Sequence, residues 1–186
     1  SVTATTGTGD SASQRRITDL VQDMLAYSKP RQPDWQFGDP NQVLVAAGKA
    51  VERRAAERGV LLDVKRHPRA GLWWMDLRGI ERCLVNLAGN GVDATPGGGT
   101  VTLRIIPAED GGSLELTVTD TGAGIAPEAR DKVFDLMFST KGSKGTGLGL
   151  AVTKKIVEEH GGTITFTTEV NEGTAFTIRI PRYEDR

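Results

Sequence analysis

The sequence predicts an α/β fold on three observations. Residues 39–58, 77–95 and 148–160 carry apolar side chains at three- and four-residue spacing, the period of an amphipathic helix. Residues 100–107, 113–120, 163–170 and 174–181 alternate β-branched and polar residues, forming two hairpins about Glu109-Asp110-Gly111-Gly112 and Asn171-Glu172-Gly173. At 186 residues the chain is long enough for one domain with a sizeable core and some appended material. A net charge of −1 gives no support for nucleic-acid binding or electrostatic attachment to a membrane. One cysteine, Cys83, excludes an internal disulfide framework and a CxxC metal site and fits a reducing cytoplasm. No apolar run approaches the roughly 20 residues of a membrane span. The chain lacks a starting Met and a signal peptide, so it is expected to be a piece of a longer protein.

Residues 1–12 are small and polar and read as a disordered linker. In 13–28, Ile17, Leu20, Val21, Met24 and Tyr27 form one stripe, and Lys29-Pro30 stops the helix. Such a helix either packs on its own domain or is half of a helical hairpin or dimer bundle; the linker at 31–38 and the prolines at 30, 33 and 40 favour the second. Asp39-Pro40-Asn41-Gln42 starts the next helix, with Asp39 as N-cap, Pro40 in the first turn and Gln42 placed for a capping box. Gly59 ends it after Arg58. Short strands are expected at 60–65 and 72–75, joined by the turn His67-Pro68-Arg69-Ala70-Gly71, where His67 is solvated and has no metal-ligating companions.

Asp76 caps the helix 77–95. Ile80, Cys83, Leu84, Leu87 and Ala94 make its apolar arc, with Cys83 a small core residue rather than a nucleophile. Asn86, Asn90 and Asp93 stack on a separate stripe at i, i+4, i+7. Asparagine in mid-helix competes with the backbone for hydrogen bonds, so the stripe is either a site or a wet outer face. Asp120-Thr121-Gly122-Ala123-Gly124-Ile125 puts a carboxylate at a strand end, followed by glycines that permit close backbone approach, an arrangement suited to the edge of a planar ligand. Pro127 opens a short helix with Glu128 and Asp131 in its first turns. Val133-Phe134-Asp135-Leu136-Met137-Phe138 is either core or the hinge side of a lid. Residues 139–149 combine glycines at 142, 145, 147 and 149 with Lys141 and Lys144, ahead of a helix carrying Leu148, Val152 and Ile156. Alone, that stretch reads equally as an anion cradle at a helix N-terminus or a flexible loop, and it fits neither the Walker loop nor the dinucleotide fingerprint. His160 suits the helix C-terminus electrostatically, and 182–186 read as a frayed tail.

Together these motifs resemble the ATP-binding catalytic domain of sensor histidine kinases, within the superfamily of gyrase B, MutL and the heat-shock chaperone ATPase. The resemblance spans residues 39–181. Asn86-Leu87-Ala88-Gly89-Asn90-Gly91-Val92-Asp93-Ala94 is similar to the N box, Asp120-Thr121-Gly122-Ala123-Gly124-Ile125 to the G1 box, residues 134–141 to the F box and Gly145-Thr146-Gly147-Leu148-Gly149-Leu150 to the G2 box. It implies the Bergerat fold, a two-layer α/β sandwich with a mixed sheet of about five strands covered on one face by three helices, and a short lid like that of nitrogen sensors. It also implies MgATP as ligand. Asn90 would coordinate Mg²⁺, with Asn86 facing the phosphate end and Asp93 on the same helix. Asp120 would accept from the adenine amino group, with Gly122, Gly124, Ile125 and Thr174 near the base. Gly145, Thr146, Gly147, Leu148 and Gly149 would meet the phosphates, and Lys141 and Lys144 would neutralise them.

The hydrolytic relatives carry a water-activating glutamate where this chain has Asn86, an amide that takes no proton at neutral pH. The expected chemistry is therefore phosphoryl transfer to an external acceptor, with Asn86 and Lys141 as catalytic candidates. Gly91 replaces the usual alanine, and Leu136-Met137 replaces the usual Pro-Phe. Neither His67 nor His160 lies in an acceptor motif. Residues 13–30 resemble the second helix of the dimerisation and phosphoacceptor hairpin, so the acceptor histidine is expected on a segment absent from this chain. The implied partners are that phosphotransfer domain and a cognate response regulator, with no nucleic acid and no direct membrane contact. The alternatives are a nucleotide-sensing module without transfer activity and a serine kinase of the anti-sigma type.

Overall fold

A computed structural model describes residues 9–28, 32–139 and 146–183. Four α-helices are α1 (Gly9–Ser28), α2 (Pro40–Glu57), α3 (Leu77–Ala94) and α4 (Gly149–Glu159), and a 3₁₀ turn spans Pro127–Lys132. The strands are β1 (Gln36–Gly38), β2 (Leu61–Lys65), β3 (Trp73–Met75), β4 (Thr100–Pro107), β5 (Ser113–Asp120), β6 (Thr163–Glu169) and β7 (Gly173–Pro181). The main sheet runs β2-β4-β5-β7-β6, with β2 parallel to β4 and every other pair antiparallel. Its period-2 pattern sends Val101, Leu103, Ile105, Leu114, Leu116, Val118, Phe176, Ile178 and Ile180 to one buried face. There α2, α3 and α4 lay down Leu44, Val51, Ile80, Leu84, Leu87, Val152 and Ile156. The result is the expected mixed five-stranded sheet with three helices on one face.

The helix ends follow the local chemistry. The Asp39 side chain accepts from Asn41 N with Pro40 behind it, Gly59 takes φ 65° after α2, and the Asp76 side chain accepts from Gly79 N. Asn41 also grips the turn after β2, donating to His67 O and accepting from His67 N, so His67 is half-buried.

Three expectations change. β2 and β3 do not pair with each other; β3 pairs with β1 in a separate antiparallel ribbon, Phe37 opposite Trp74. The segment 31–38 therefore holds a strand, one too short to leave a period. Helix α1 begins at Gly9, inside the stretch expected to be linker, since a nucleated helix extends over neighbours that do not break it. Ala94 is exposed rather than part of the apolar arc, because α3 ends there and the chain turns away at Thr95-Pro96.

The C-terminal half of α1 touches the rest of the chain: Asp23 pairs with Arg82 of α3, and Lys155 Nζ of α4 donates to Tyr27 O at 2.6 Å. Ile17, Val21, Met24 and Leu25 on the same helix are exposed. Among the described residues no helix is long and apolar enough to cross a membrane.

Candidate functional site

The site is built where α3 passes over the end of β5. Pairing with Val101 and Thr174 puts Asp120 on the helix-covered face of the sheet, 7% exposed. Its Oδ1 accepts from Gly122 N at 2.9 Å and Thr174 N at 3.3 Å. Oδ2 takes no hydrogen bond from any described residue and remains an open acceptor. Burial raises the Asp120 pKa from its ordinary value, partly opposed by the two amides.

The loop after Asp120 admits only glycine at two places. A Cβ on Gly122 would lie 2.5 Å from Ala94 O, and one on Gly124, with φ 71°, would lie 2.2 Å from Glu169 O. Hydrogen bonds lace this loop between α3 and the β6–β7 hairpin: Ala123 N to Ala94 O, Asn171 N to Ala123 O, and Ile125 N to Thr168 Oγ1. Thr174, opposite Asp120, is buried.

On α3, Gly91 faces Asp120; a Cβ there would sit 3.3 Å from Asp120 Cβ. Asn90 is half-buried beside it. One turn earlier, Asn86 Nδ2 donates to Gly149 O at 3.3 Å and Thr153 Oγ1 at 3.5 Å, tying the stripe to the start of α4. Asp93 turns toward α2, where Arg54 pairs with it at 2.6 Å and Arg58 bonds Val92 O and Asp93 O. The first turn of α4 has no side-chain cap, and Leu148 N is 3.4 Å from Thr146 Oγ1. Gly147, φ 68°, backs onto Met137, where a Cβ would meet backbone at 2.5 Å. Lys141, Lys144 and Gly145 lie outside the described residues.

Two groups of expected residues thus come together, Asp120, Gly122, Gly124, Ile125 and Thr174 at one end and Asn86, Leu148 and Gly149 at the other, with Asn90 between. The apolar cluster at 133–138 divides. Phe134 packs with Phe166 and Phe176 at 5.9 and 6.3 Å between centroids, whereas Leu136 and Met137 are exposed and Met137 adopts φ 63°. Cys83 is core, as expected. His160 differs: it is buried, its Nδ1 bonds Ile156 O and its Nε2 accepts from Asp76 N at 3.0 Å, so partners assign the neutral ring protonated on Nδ1. It clamps α4 to the cap of α3 rather than serving as a cation at a helix end.

Arg54, Thr153 and Thr168 went unnoticed in the sequence. The contacts that tie them to the site are to Asp93, Asn86 and Ile125, 39, 67 and 43 positions away, and no local pattern marks those. Chemically, the site offers acceptor oxygens at one end, an uncapped helix start at the other and an amide stripe along the side. That suits a ligand with an amino-bearing planar ring and an anionic tail.

The family model of histidine kinase-, DNA gyrase B- and HSP90-like ATPases matches residues 75–184. The chain is similar to the sensor histidine kinase ZraS of Klebsiella oxytoca, 33% identical over 89% of this chain and 36% of that protein. It is 36% identical to the sensor kinase CckA of Brucella abortus, over 90% of this chain and 19% of that one. It therefore spans about a third or less of the length of these relatives. Among solved structures, full-length ShkA in complex with AMPPNP superposes with a TM-score of 0.81 at 28% identity, covering 94% of this chain and 37% of that one. The mycobacterial sensor histidine kinase MprB gives a TM-score of 0.67 at 31% identity, covering 80% of this chain and 97% of that one.

Proposed function

The chain belongs to the family of histidine kinase-, DNA gyrase B- and HSP90-like ATPases, and on that premise we propose that it is the ATP-binding catalytic domain of a two-component sensor histidine kinase. It would bind MgATP and transfer the γ-phosphoryl group to a histidine on a segment absent from this chain. The observation that carries the reading is Asp120, a buried carboxylate with one oxygen occupied by backbone amides and the other open beneath α3. An open carboxylate oxygen beside the Thr174 hydroxyl favours the exocyclic amino group of adenine. Glycine at 122 and 124 lets the base approach the backbone, with Ile125 and Thr174 beside it.

The triphosphate would then run along the α3 stripe toward the start of α4. Backbone amides of Gly145, Thr146, Gly147, Leu148 and Gly149 would meet it, and Lys141 and Lys144 would supply positive charge. The side-chain oxygen of Asn90 is a hard donor of the kind Mg²⁺ takes, and the ion would neutralise the phosphates when bound. Asp93, held by Arg54, would sit at the edge of this stripe. Asn86 donates its amide to α4 and offers no general base to a water, which favours transfer over hydrolysis. The bond from the γ-phosphorus to the bridging oxygen breaks, ADP leaves, and the imidazole nitrogen takes the phosphoryl group. The partners would be the parent's dimerisation and phosphotransfer helices, which α1 would continue, and a cognate response regulator. The domain would work in the cytoplasm, with no nucleic acid and no direct membrane contact.

Mixing the protein with a separate acceptor hairpin and labelled ATP tests this. Acid-labile phosphohistidine should form, and both Asp120→Asn and Asn90→Ala should weaken MgATP binding in calorimetry. Unaltered binding by both variants would sink the site assignment. Binding without any phosphohistidine would favour a nucleotide-sensing module, a reading that the exposed Leu136 and left-handed Met137 keep in view.

A further inference from the structure

We propose that Thr168 fixes the hydrogen-bond polarity of the base-binding floor and, acting through Thr174, selects a base that presents an amino group; this deepens the nucleotide reading above and rests on it. Thr168 Oγ1 lies 2.9 Å from Ile125 N, 3.0 Å from Gly173 O and 3.0 Å from Thr174 Oγ1. A backbone amide can only donate and a carbonyl can only accept, while a hydroxyl owns one hydrogen and two lone pairs. One assignment satisfies all three contacts. The Thr168 hydrogen goes to Gly173 O, and its lone pairs accept from Ile125 N–H and the Thr174 hydroxyl.

The consequence falls on Thr174. With its hydrogen committed to Thr168, Thr174 Oγ1 presents only lone pairs to the pocket. It stands opposite Asp120 in the β5–β7 register, on the same face of the sheet, and its own N–H is given to Asp120 Oδ1. The β5–β7 pair therefore turns two acceptors toward the base, Thr174 Oγ1 and Asp120 Oδ2. A threonine free to rotate could offer its hydrogen to a 6-oxo group; held by Thr168, it cannot. Adenine brings two amino hydrogens to this floor. Hypoxanthine puts a carbonyl oxygen where adenine has the amino group, and its single N1–H, one ring position away, can serve at most one of the two acceptors, so the oxygen is left facing the other; sites of this kind discriminate against the wrong partner.

Thr168 makes no predicted contact with nucleotide, so it is a positioning residue. Its test is the ratio of ATP to ITP affinity, measured by calorimetry, because lost packing weakens both nucleotides alike while lost polarity changes the ratio. The wild type should prefer ATP. Thr168→Val should reduce that preference by about tenfold, the effect of one buried hydrogen-bond mismatch, and Thr168→Ser should restore it. Thr174→Val should reduce the ratio similarly, and the double variant should reduce it no further. Thr168→Ala gives the same reading should valine pack badly at 168. An unchanged ratio in a folded Thr168 variant overturns the role of Thr168, as would equal binding of ATP and ITP by the wild type. Failure of the wild type to bind ATP at all would instead overturn the nucleotide reading beneath it.

Discussion

Asp120 is held where its ionised form is costly, and that cost makes it testable. Its pKa is raised, chiefly by burial. Between the ordinary value and the raised one, the folded chain keeps a proton that the unfolded chain releases, so this group's contribution to stability falls as pH rises through that window. Above that window the fold carries the cost of a buried carboxylate. Asp120→Asn is therefore expected to leave the thermal midpoint unchanged or raise it while removing most ATP affinity. On acidification, wild-type ATP affinity should drop as the raised pKa is crossed, whereas the weak affinity of Asp120→Asn should stay flat. Parallel pH profiles in calorimetry would contradict this account. A carboxylate at a strand end with two glycines behind it was legible from sequence. Its depth and the two amides on Oδ1 were not, since one of them comes from Thr174, 54 residues away.

Helix α3 shows how far a period carries. Ile80, Cys83, Leu84 and Leu87 are buried as their spacing requires, and Asn86 and Asn90 lie where a 100° step puts them. What each asparagine touches is decided by a neighbouring element. Asn86 donates to Gly149 O and Thr153 Oγ1, and Thr153 Oγ1 in turn donates to Gly149 O. Asn86→Glu would set carboxylate oxygens against these acceptors, so urea unfolding should show a loss of about 1–3 kcal/mol. A Glu variant as stable as the wild type would mean the α3–α4 tie contributes nothing. Gly91 has the opposite balance. Alanine favours the helix by about 1 kcal/mol, but its methyl would press Asp120 Cβ at 3.3 Å and Val101 at 3.4 Å. Gly91→Ala should stabilise by less than the full propensity gain, and a clear loss in the same unfolding experiment would show that Asp120 cannot yield.

At the scale of the whole molecule, the described contacts of α1 with the rest lie in its C-terminal half and include two polar ones and the Lys155 ammonium over the Tyr27 ring. Asp23–Arg82 and Lys155–Tyr27 hold its C-terminal half, while Ile17 is 62% exposed. Arg82→Ala should accelerate amide exchange along α1 and leave protection in β4, β5 and β7 unchanged; equal loss in both regions would mean that α1 is part of the same cooperative unit. By itself, the sequence determined helices α2, α3 and α4, the β4–β5 and β6–β7 hairpins and their order, because these follow from periodicity and turn chemistry within short windows, whereas the four boxes came from resemblance to a family. Only the tertiary structure decided that β3 pairs with β1, that His160 serves as a neutral clamp, that Arg54 holds Asp93, and that Thr168 commits the Thr174 hydrogen. The first three depend on groups brought together from distant parts of the chain, and the fourth on Ile125 N–H occupying a Thr168 lone pair from 43 positions away; such pairings impose no period on the residues that make them.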